Sequence, residues 1–391
     1  MKISGMAIYV VGADWRNWVF VKLFTDEGLT GVGEASLEGS EEMVVAALQR
    51  IKGYLLGKNP FDIEQHWQAI YHGRFWRGMV LLSALGGVEQ ALWDIVGKAC
   101  NVPVYNLLGG RCRDRVRCYT HVSEATSGHS LSQRAEEASR AVAEGWTALK
   151  WDPLPASPRP ASDFLTLQPQ DLRFVVEQVR AVREAVGDDV ELLVEAHGRL
   201  DPNAAVRLAH AIAPFRPFFL EEPVPPESLD ALARVAGQVD IPLATGERIL
   251  TRYGYWPLLE RQLVDYIQPD VIHVGGLLEC KKIAAMAEAR YVRVAPHNPN
   301  GPVCTAASLH LAANLPNLGI LEMPADDYQW SAYWRDELLV DPTPVQVRQG
   351  YLQVPTAPGL GVDLDEEAIA RYPPQVRDWG VSFRAENAII D

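Results

Sequence analysis

The sequence predicts a (β/α) barrel that follows a smaller α+β unit and precedes a short C-terminal segment. Between residues 116 and 321, eight short apolar runs alternate with amphipathic helical segments, a pattern typical of a sheet built from βα units. Polar side chains follow the later runs at intervals of 23 to 27 residues, about one βα unit when eight units take roughly 250 residues. A doubly wound open sheet is the main alternative.

The α+β unit is predicted at residues 1–113. Within it, Asp26-Glu27-Gly28 is typical of a hairpin turn. Strands are predicted at residues 6–11, 18–25 and 30–35. Apolar residues then recur every three or four positions, which indicates helices. These helices are predicted at residues 42–56, 63–71 and 81–99.

The predicted barrel covers residues 114–350, and the C-terminal segment covers residues 351–391. Barrel strands are predicted at residues 116–119, 148–150, 191–194, 218–220, 243–244, 266–268, 292–295 and 320–321. Helical periodicity is clearest at residues 172–186, 203–212, 229–235 and 281–289. The stretch 152–170 holds five prolines and predicts a long loop, and a short acidic helix is expected from Asp365.

Charge and composition argue against several classes of function. The 391 residues carry a net charge of −14, which disfavours nucleic-acid and anionic-membrane partners. We expect no membrane span, because no run of about 18 apolar residues is present. A cytoplasmic location is predicted, since the N-terminus resembles a strand rather than a signal peptide. Five cysteines without a CxxC pair argue against a disulfide scaffold or a zinc cluster.

Charged or imidazole side chains lie at or just after the ends of seven of the predicted barrel strands. They are Lys150, Glu195, Glu221, Glu247, Asp270, His297 and Glu322. Barrel enzymes place their chemistry at this end of the strands. Exposed strand ends also collect charges by chance, but the regular spacing favours a site.

Glu195, Glu221 and Glu247 would converge from adjacent strands, and three such charges are costly to bring together without a cation. Oxygen ligands suit Mg²⁺. Asp270 lies on the strand end next to His297 and would orient its imidazole as a base. His197 would face the same way as Glu195 and act as a second, acid-side catalyst, while Lys150 would bind a substrate carboxylate or developing negative charge.

Six motifs extend this pattern over nearly the whole chain. They are Ala91-Leu92-Trp93-Asp94-Ile95, Val194-Glu195-Ala196-His197-Gly198-Arg199, Leu220-Glu221-Glu222-Pro223, Gly246-Glu247-Arg248, Gln268-Pro269-Asp270 and Pro296-His297-Asn298-Pro299-Asn300-Gly301-Pro302. As a set they resemble the mandelate racemase group of the enolase superfamily, and its galactonate dehydratases most closely. That resemblance implies a (β/α)7β barrel whose mouth is capped by the N-terminal domain together with the C-terminal segment. It also implies a homo-oligomer, and contributions to the mouth from loops near residues 14–18 and 74–76.

The resemblance further implies roles for the strand-end residues. The three glutamates would hold Mg²⁺, His297 would take the proton from C2 of a sugar acid, and His197 would protonate the departing 3-hydroxyl. Glu322 would hydrogen-bond the enediolate. A base on the His297 side suits acids with the R configuration at C2, such as galactonate and gluconate.

Two positions depart from the family pattern. The first metal ligand is usually Asp, and here it is Glu195. Lys150-Trp151-Asp152 stands where relatives with two-sided chemistry carry Lys-x-Lys, so one face lacks its usual base. This favours dehydration of an aldonate to a 2-keto-3-deoxy acid over racemisation or epimerisation, which is the first alternative. A glycoside hydrolase and a non-catalytic sugar-binding barrel are weaker alternatives, since neither needs three metal ligands beside a His–Asp pair.

Overall fold

The computed structural model describes residues 1–13, 16–73, 77–122, 128–155, 166–323 and 336–375. Asp14 and Trp15, and all of the expected mouth loop at 74–76, lie outside these residues.

The N-terminal unit is an antiparallel three-stranded sheet covered by helices. The strands are β1 (Ile3–Ala13), β2 (Arg16–Thr25) and β3 (Thr30–Glu34), joined in the order β1-β2-β3. The helices are α1 (Glu41–Leu55), α2 (Ile63–His72), α3 (Met79–Ala99) and α4 (Val104–Leu107). Strand β3 lies very close to α3, because a Cβ at Gly33 would meet Gly87 O at 1.9 Å. Glycine is therefore required at that crossing.

Helix α3 is long and apolar enough to cross a membrane, but 78% of its most apolar window is buried inside the protein. It packs against α1, α2 and the sheet. Its composition is thereby explained by a core position, and it is the one such helix among the described residues.

Eight parallel strands form the barrel, as the sequence predicts. They are β4 (Arg115–His121), β5 (Ala148–Trp151), β6 (Glu191–Glu195), β7 (Phe219–Glu221), β8 (Leu243–Thr245), β9 (Tyr266–Ile267), β10 (Arg293–Val294) and β11 (Leu321–Glu322). The sheet runs from β10 to β4 and on to β11. A parallel bridge between Val294 and Leu318 brings its two ends together. The open-sheet alternative is therefore wrong.

In the part of the chain that the structure describes, seven α-helices separate the eight strands and complete the (β/α)7β order. They are α5 (Leu131–Ala143), α6 (Pro169–Val186), α7 (Pro202–Ile212), α8 (Leu229–Ala236), α9 (Thr251–Glu260), α10 (Leu277–Glu288) and α11 (Pro302–Asn314). Every residue of α11 is buried, so it lacks the amphipathic period that predicts a helix. Helix α10 begins four residues before the predicted start, directly after Gly275-Gly276.

The C-terminal segment contacts both units. Strand β12 (Tyr351–Gln353) pairs antiparallel with β4 of the barrel. The chain then returns to the N-terminal unit, where Leu360 N donates to Asp94 Oδ1 at 2.8 Å. Helix α12 (Glu366–Ala370), which Asp365 caps, supplies Glu366 to Lys22 of β2 at 3.0 Å.

Two buried glutamates of the N-terminal unit cap helices of the barrel. Glu89 accepts hydrogen bonds from Leu277 N and Leu278 N, at 2.8 and 2.9 Å, at the start of α10. Glu34 accepts from Gly301 N and Cys304 N, at 2.7 and 2.9 Å, at the start of α11. A carboxylate is favoured there because the first amides of a helix lack partners and carry partial positive charge. These contacts fix the N-terminal unit over the ends of β9 and β10.

We expect Glu34→Gln to destabilise the protein by about 1–3 kcal/mol. The amide NH₂ group would face a buried N–H donor at Gly301 or Cys304, and one donor would lose its acceptor. A lower thermal unfolding midpoint would reveal this change. Glu288→Gln, at an exposed position of α10, is the matched control, and equal midpoints for the two variants would contradict the capping role.

Candidate active site

All seven strand-end residues lie at one end of the barrel and form two connected groups. Lys150 contacts Glu195, Glu221 and Glu322. His297 joins Asp270 to Glu247. Side-chain oxygens of Glu195, Glu221 and Glu247 lie within 4.8 Å of one another, so the two groups meet at this triad.

Glu195 and Glu221 are buried and Glu247 is partly buried, and the triad carries more negative charge than its one lysine balances. Lys150 Nζ lies 3.0 Å from Glu221 Oε1, 3.5 Å from Glu195 Oε2 and 3.1 Å from Glu322 Oε1. Burial, followed by the charge of Glu195, raises the pKa of Glu221 to about 8. Although burial alone would lower the pKa of Lys150, its carboxylate neighbours raise that pKa well above the usual value. Lys150 is therefore a fixed cation in this arrangement.

The donor set fits a hard divalent cation. Glu195 Oε2 is buried and makes no hydrogen bond among the described residues. Its ion pair with Lys150 spans 3.5 Å, and a buried carboxylate oxygen without a hydrogen bond is costly. It lies beside the oxygens of two further carboxylates, the ligand type that Mg²⁺ and Mn²⁺ prefer. Within the described ranges, this triad is the only group of acidic, His or Cys side chains close enough to hold an ion.

The extra methylene of Glu195 is accommodated by the backbone that follows β6. Glu195 Oε1 accepts a hydrogen bond from His197 N at 2.6 Å, which leaves Oε2 toward the triad. His197 and Gly198 adopt positive φ angles of 48° and 65°. With this hydrogen bond and turn, the carboxylate of the longer side chain lies with the other two.

His297 is held by Asp270. Its Nδ1 lies 2.8 Å from Asp270 Oδ2, and its Nε2 lies 3.2 Å from Glu247 Oε2. Burial alone would lower the pKa of His297, but Glu247, Glu322 and Asp270 raise it to about 10. A cation on the triad would offset the contribution of Glu247, the largest of the three. Nδ1 is committed to Asp270, so Nε2 is the nitrogen left for a ligand.

His197 has a carboxylate partner that the sequence did not reveal. Its Nδ1 lies 2.6 Å from Asp152 Oδ2, and Arg199 Nη2 donates to the same oxygen. Asp152 therefore not only replaces the second lysine of the Lys-x-Lys pair but also binds His197. The sequence places Asp152 at the end of the second barrel strand, but only the fold shows that it reaches His197, beyond the end of the neighbouring strand.

Glu322 is bound from three sides. His121 Nε2 and Lys150 Nζ lie 2.7 and 3.1 Å from Oε1, while Asn298 N donates to Oε2 at 2.8 Å. Burial opposes ionisation, but Lys150, with His297 and His121, holds the pKa of Glu322 well below its usual range. Glu322 is therefore an anion that orients donors. His121 is the last residue of β4, the first barrel strand.

The N-terminal unit contacts this site directly. Arg16 Nη2 donates to Pro299 O at 2.7 Å, two residues beyond His297. Ser83 Oγ of α3 lies 2.9 Å from His273 Nδ1, and His273 Nε2 lies 3.7 Å from Asp270 Oδ2. His273 thus links α3 of the N-terminal unit to the Asp270 carboxylate.

The arrangement places two acid–base groups across the barrel mouth from each other. His197 follows β6, the third barrel strand, and His297 follows β10, the seventh. Strands four positions apart in an eight-stranded ring lie on opposite sides. A ligand held at the triad would have one imidazole on each side, with Lys150 and Glu322 between them on the second and eighth strands.

The chain is similar to known proteins over nearly its full length. Residues 5–109 match the family described as the mandelate racemase/muconate lactonizing enzyme N-terminal domain, and residues 133–368 match the enolase C-terminal domain-like family. A D-galactonate dehydratase of Ralstonia nicotianae is 36% identical over 97% of this chain and 96% of its own length. A D-galactonate dehydratase of Klebsiella pneumoniae is 36% identical over 93% and 94%.

Solved structures are similar in the same way. The mandelate racemase/muconate lactonizing enzyme of Jannaschia sp. CCS1 superposes with a TM-score of 0.88 at 33% identity, covering 96% of this chain and 99% of its own. A mandelate racemase/muconate lactonizing enzyme-like protein of Roseovarius sp. TM1035 gives 0.87 at 34%, covering 100% and 98%.

Proposed function

The chain belongs to the mandelate racemase/muconate lactonizing enzyme family of the enolase superfamily, and from that premise we propose that it is a hydro-lyase that dehydrates a sugar acid. The proposed substrate is an aldonate such as galactonate or gluconate, the proposed product is the 2-keto-3-deoxy acid, and the proposed metal is Mg²⁺. Relatives at 36% identity that are D-galactonate dehydratases support the reaction class.

The observation that carries the proposal is the carboxylate triad beside the His297–Asp270 pair. A proton next to a carboxylate is too weakly acidic for an imidazole alone, because the enediolate that forms carries two negative charges. Bound at Glu195, Glu221 and Glu247, Mg²⁺ would supply electrostatic stabilisation of that charge.

The chain's own groups account for the remaining steps. His297 Nε2 takes the C2 proton while Asp270 holds the imidazole through Nδ1. Lys150 binds the substrate carboxylate, while the Glu322 carboxylate holds Lys150 and His121 in place. His197 donates a proton to the 3-hydroxyl, the C3–O bond breaks, and water leaves. The enol then gains a proton at C3 from solvent and loses its hydroxyl proton, which gives the 2-keto-3-deoxy acid.

Charge pairing supports an acid with a single carboxylate. Arg199 and Arg248 follow the first and third proposed ligands, but each is already paired with a carboxylate, Asp152 and Glu222 respectively. Neither offers an uncompensated cation for a second carboxylate at the far end of a substrate. Aldonates therefore fit these described residues better than aldarates.

We expect one or a few aldonates to give a 2-keto acid when a panel of aldonates and aldarates is incubated with the protein and Mg²⁺. Formation of the 2-keto acid should stop in EDTA and return when Mg²⁺ is restored. Formation of the 2-keto acid that persists in EDTA would contradict the metal-dependent mechanism.

Epimerisation remains the second candidate, because the Asp152–His197 pair supplies an acid–base group opposite His297. Exchange of the C2 proton with deuterated water, without a 2-keto acid, would favour it. If neither a 2-keto acid nor exchange of the C2 proton is detected, the protein does not abstract a proton from these acids. A cytoplasmic location and a homo-oligomeric state stay predictions, which fractionation and size-exclusion chromatography with light scattering would test.

A further inference from the structure

Asp152 holds His197 in the same way that Asp270 holds His297. Asp152 Oδ1 accepts from Leu154 N, two residues ahead, at 2.8 Å. Asp270 Oδ1 accepts from Ile272 N, also two residues ahead, at 2.6 Å. In each case the backbone just beyond the strand fixes one carboxylate oxygen and leaves Oδ2 for the histidine.

The second oxygen repeats the parallel. Asp152 Oδ2 binds His197 Nδ1 and Arg199 Nη2, while Asp270 Oδ2 binds His297 Nδ1 and Asn300 Nδ2. Each histidine thus shares its carboxylate with a donor two or three residues farther along its own loop. The two pairs lie on opposite sides of the barrel.

His197 is fixed at its backbone as well. Its N–H donates to Glu195 Oε1 at 2.6 Å, and its carbonyl accepts from Arg248 Nη2 at 3.3 Å. With Nδ1 bound to Asp152, the ring keeps only Nε2 for exchange with a ligand. Asp152 itself is 4% exposed, so water competes little for this carboxylate.

We propose that Asp152 is the positioning residue of a second His–Asp pair, which holds His197 with Nε2 toward the leaving hydroxyl. The inference rests on the proposed dehydration. Before the reaction, Asp152 accepts Nδ1–H of the imidazolium. The proton on Nε2 then passes to the departing 3-hydroxyl oxygen, the C3–O bond breaks, and water leaves. His197 is left neutral, with its Nδ1–H still hydrogen-bonded to Asp152.

Asp152→Asn tests this role in the Mg²⁺-loaded enzyme. We expect kcat for the aldonate to fall by roughly 100-fold, within the range of general acid–base catalysis, with KM changed by less than about threefold. For a substrate with fluoride in place of the 3-hydroxyl, Asp152→Asn should lower kcat far less, because fluoride departs without a proton. Exchange of the C2 proton, which His297 performs, should persist. Equal losses with both leaving groups would overturn the proposal.

Two further measurements separate positioning from a structural role. Nitrogen-15 NMR of His197 should report the proton on Nδ1 in the neutral ring of the wild type and a shift toward Nε2–H in Asp152→Asn. Adding Asp152→Asn to His197→Asn should cost little more activity than His197→Asn alone, and full additivity would overturn the proposal.

Arg199→Gln is the matched control, because it removes the other partner of the same Asp152 oxygen and leaves the imidazole contact. It should cost less kcat than Asp152→Asn. If Asp152→Asn fails to fold, Asp152→Ser keeps a small acceptor for Leu154 N, and kcat with the two leaving groups can be compared in that variant instead. A wild type that does not dehydrate any acid tested refutes the proposed function. A wild type that does, beside an equally active Asp152→Asn, refutes only the role of Asp152.

Discussion

Replacing His297 by asparagine is expected to lower kcat of dehydration by ~10³-fold or more, near the upper end of what a general base contributes. Nε2 of His297 is the nitrogen that Asp270 leaves for the substrate, and the amide of asparagine is not basic enough to take its place. Exchange of the C2 proton with deuterated water should disappear together with formation of the 2-keto acid, since both require that proton to leave.

Two controls accompany this variant. His210→Asn alters an exposed histidine of α7, whose Nε2 contacts Gln238 O, and should leave activity near wild type. Bound Mg²⁺ should be measured in both variants, because His297 Nε2 also lies 3.2 Å from Glu247 Oε2. Activity within tenfold of wild type, with metal bound, would contradict His297 as the base.

The strand-end residues could be predicted because barrel geometry converts sequence spacing into position. Successive βα units place Glu195, Glu221 and Glu247 on adjacent strands, so a step of 26 residues in the sequence becomes oxygens within 4.8 Å. The same logic predicted the proximity of Asp270 and His297, which are 2.8 Å apart. Their catalytic roles remain proposals.

Contacts that depend on side-chain direction could not be predicted. Asp152 and His197 follow neighbouring strands, but nothing in their spacing says that Asp152 turns toward His197 rather than Lys150. Ser83 reaches His273 from another unit, 190 residues away. Strand β12 escaped prediction for a related reason: its short edge pairing with β4 is decided by where the segment docks and not by its own three residues.

The second large effect is expected from Glu221→Gln, which should weaken Mg²⁺ binding by roughly 100-fold or more and abolish dehydration at ordinary Mg²⁺ concentrations. Glu221 is the middle carboxylate of the triad, and an amide offers the ion a neutral oxygen in place of a charged one. Lys150 keeps Glu195 and Glu322 as partners, so the fold should survive. Calorimetric titration with Mg²⁺ and the 2-keto acid assay would measure both effects.

Glu322→Gln is the matched control, because it removes a buried carboxylate from the same Lys150 without removing a proposed ligand. Mg²⁺ affinity should then fall by less than about tenfold, the lower end of losses seen outside the ligand set, although catalysis should suffer. Equal affinities for Glu221→Gln and wild type would contradict the triad as the metal site.

The pH dependence of Mg²⁺ binding is a second, independent test of Glu221 as a ligand. Burial and the charge of Glu195 raise the pKa of Glu221 to about 8, so at neutral pH a proton must leave before the carboxylate can bind a cation. The Mg²⁺ affinity of the wild type should therefore rise as pH increases from 6 to 8, roughly in step with proton release. In Glu221→Gln this proton is absent, and the weaker binding that remains should depend less on pH. A wild-type affinity that falls over this range would contradict the assignment of Glu221 as a ligand.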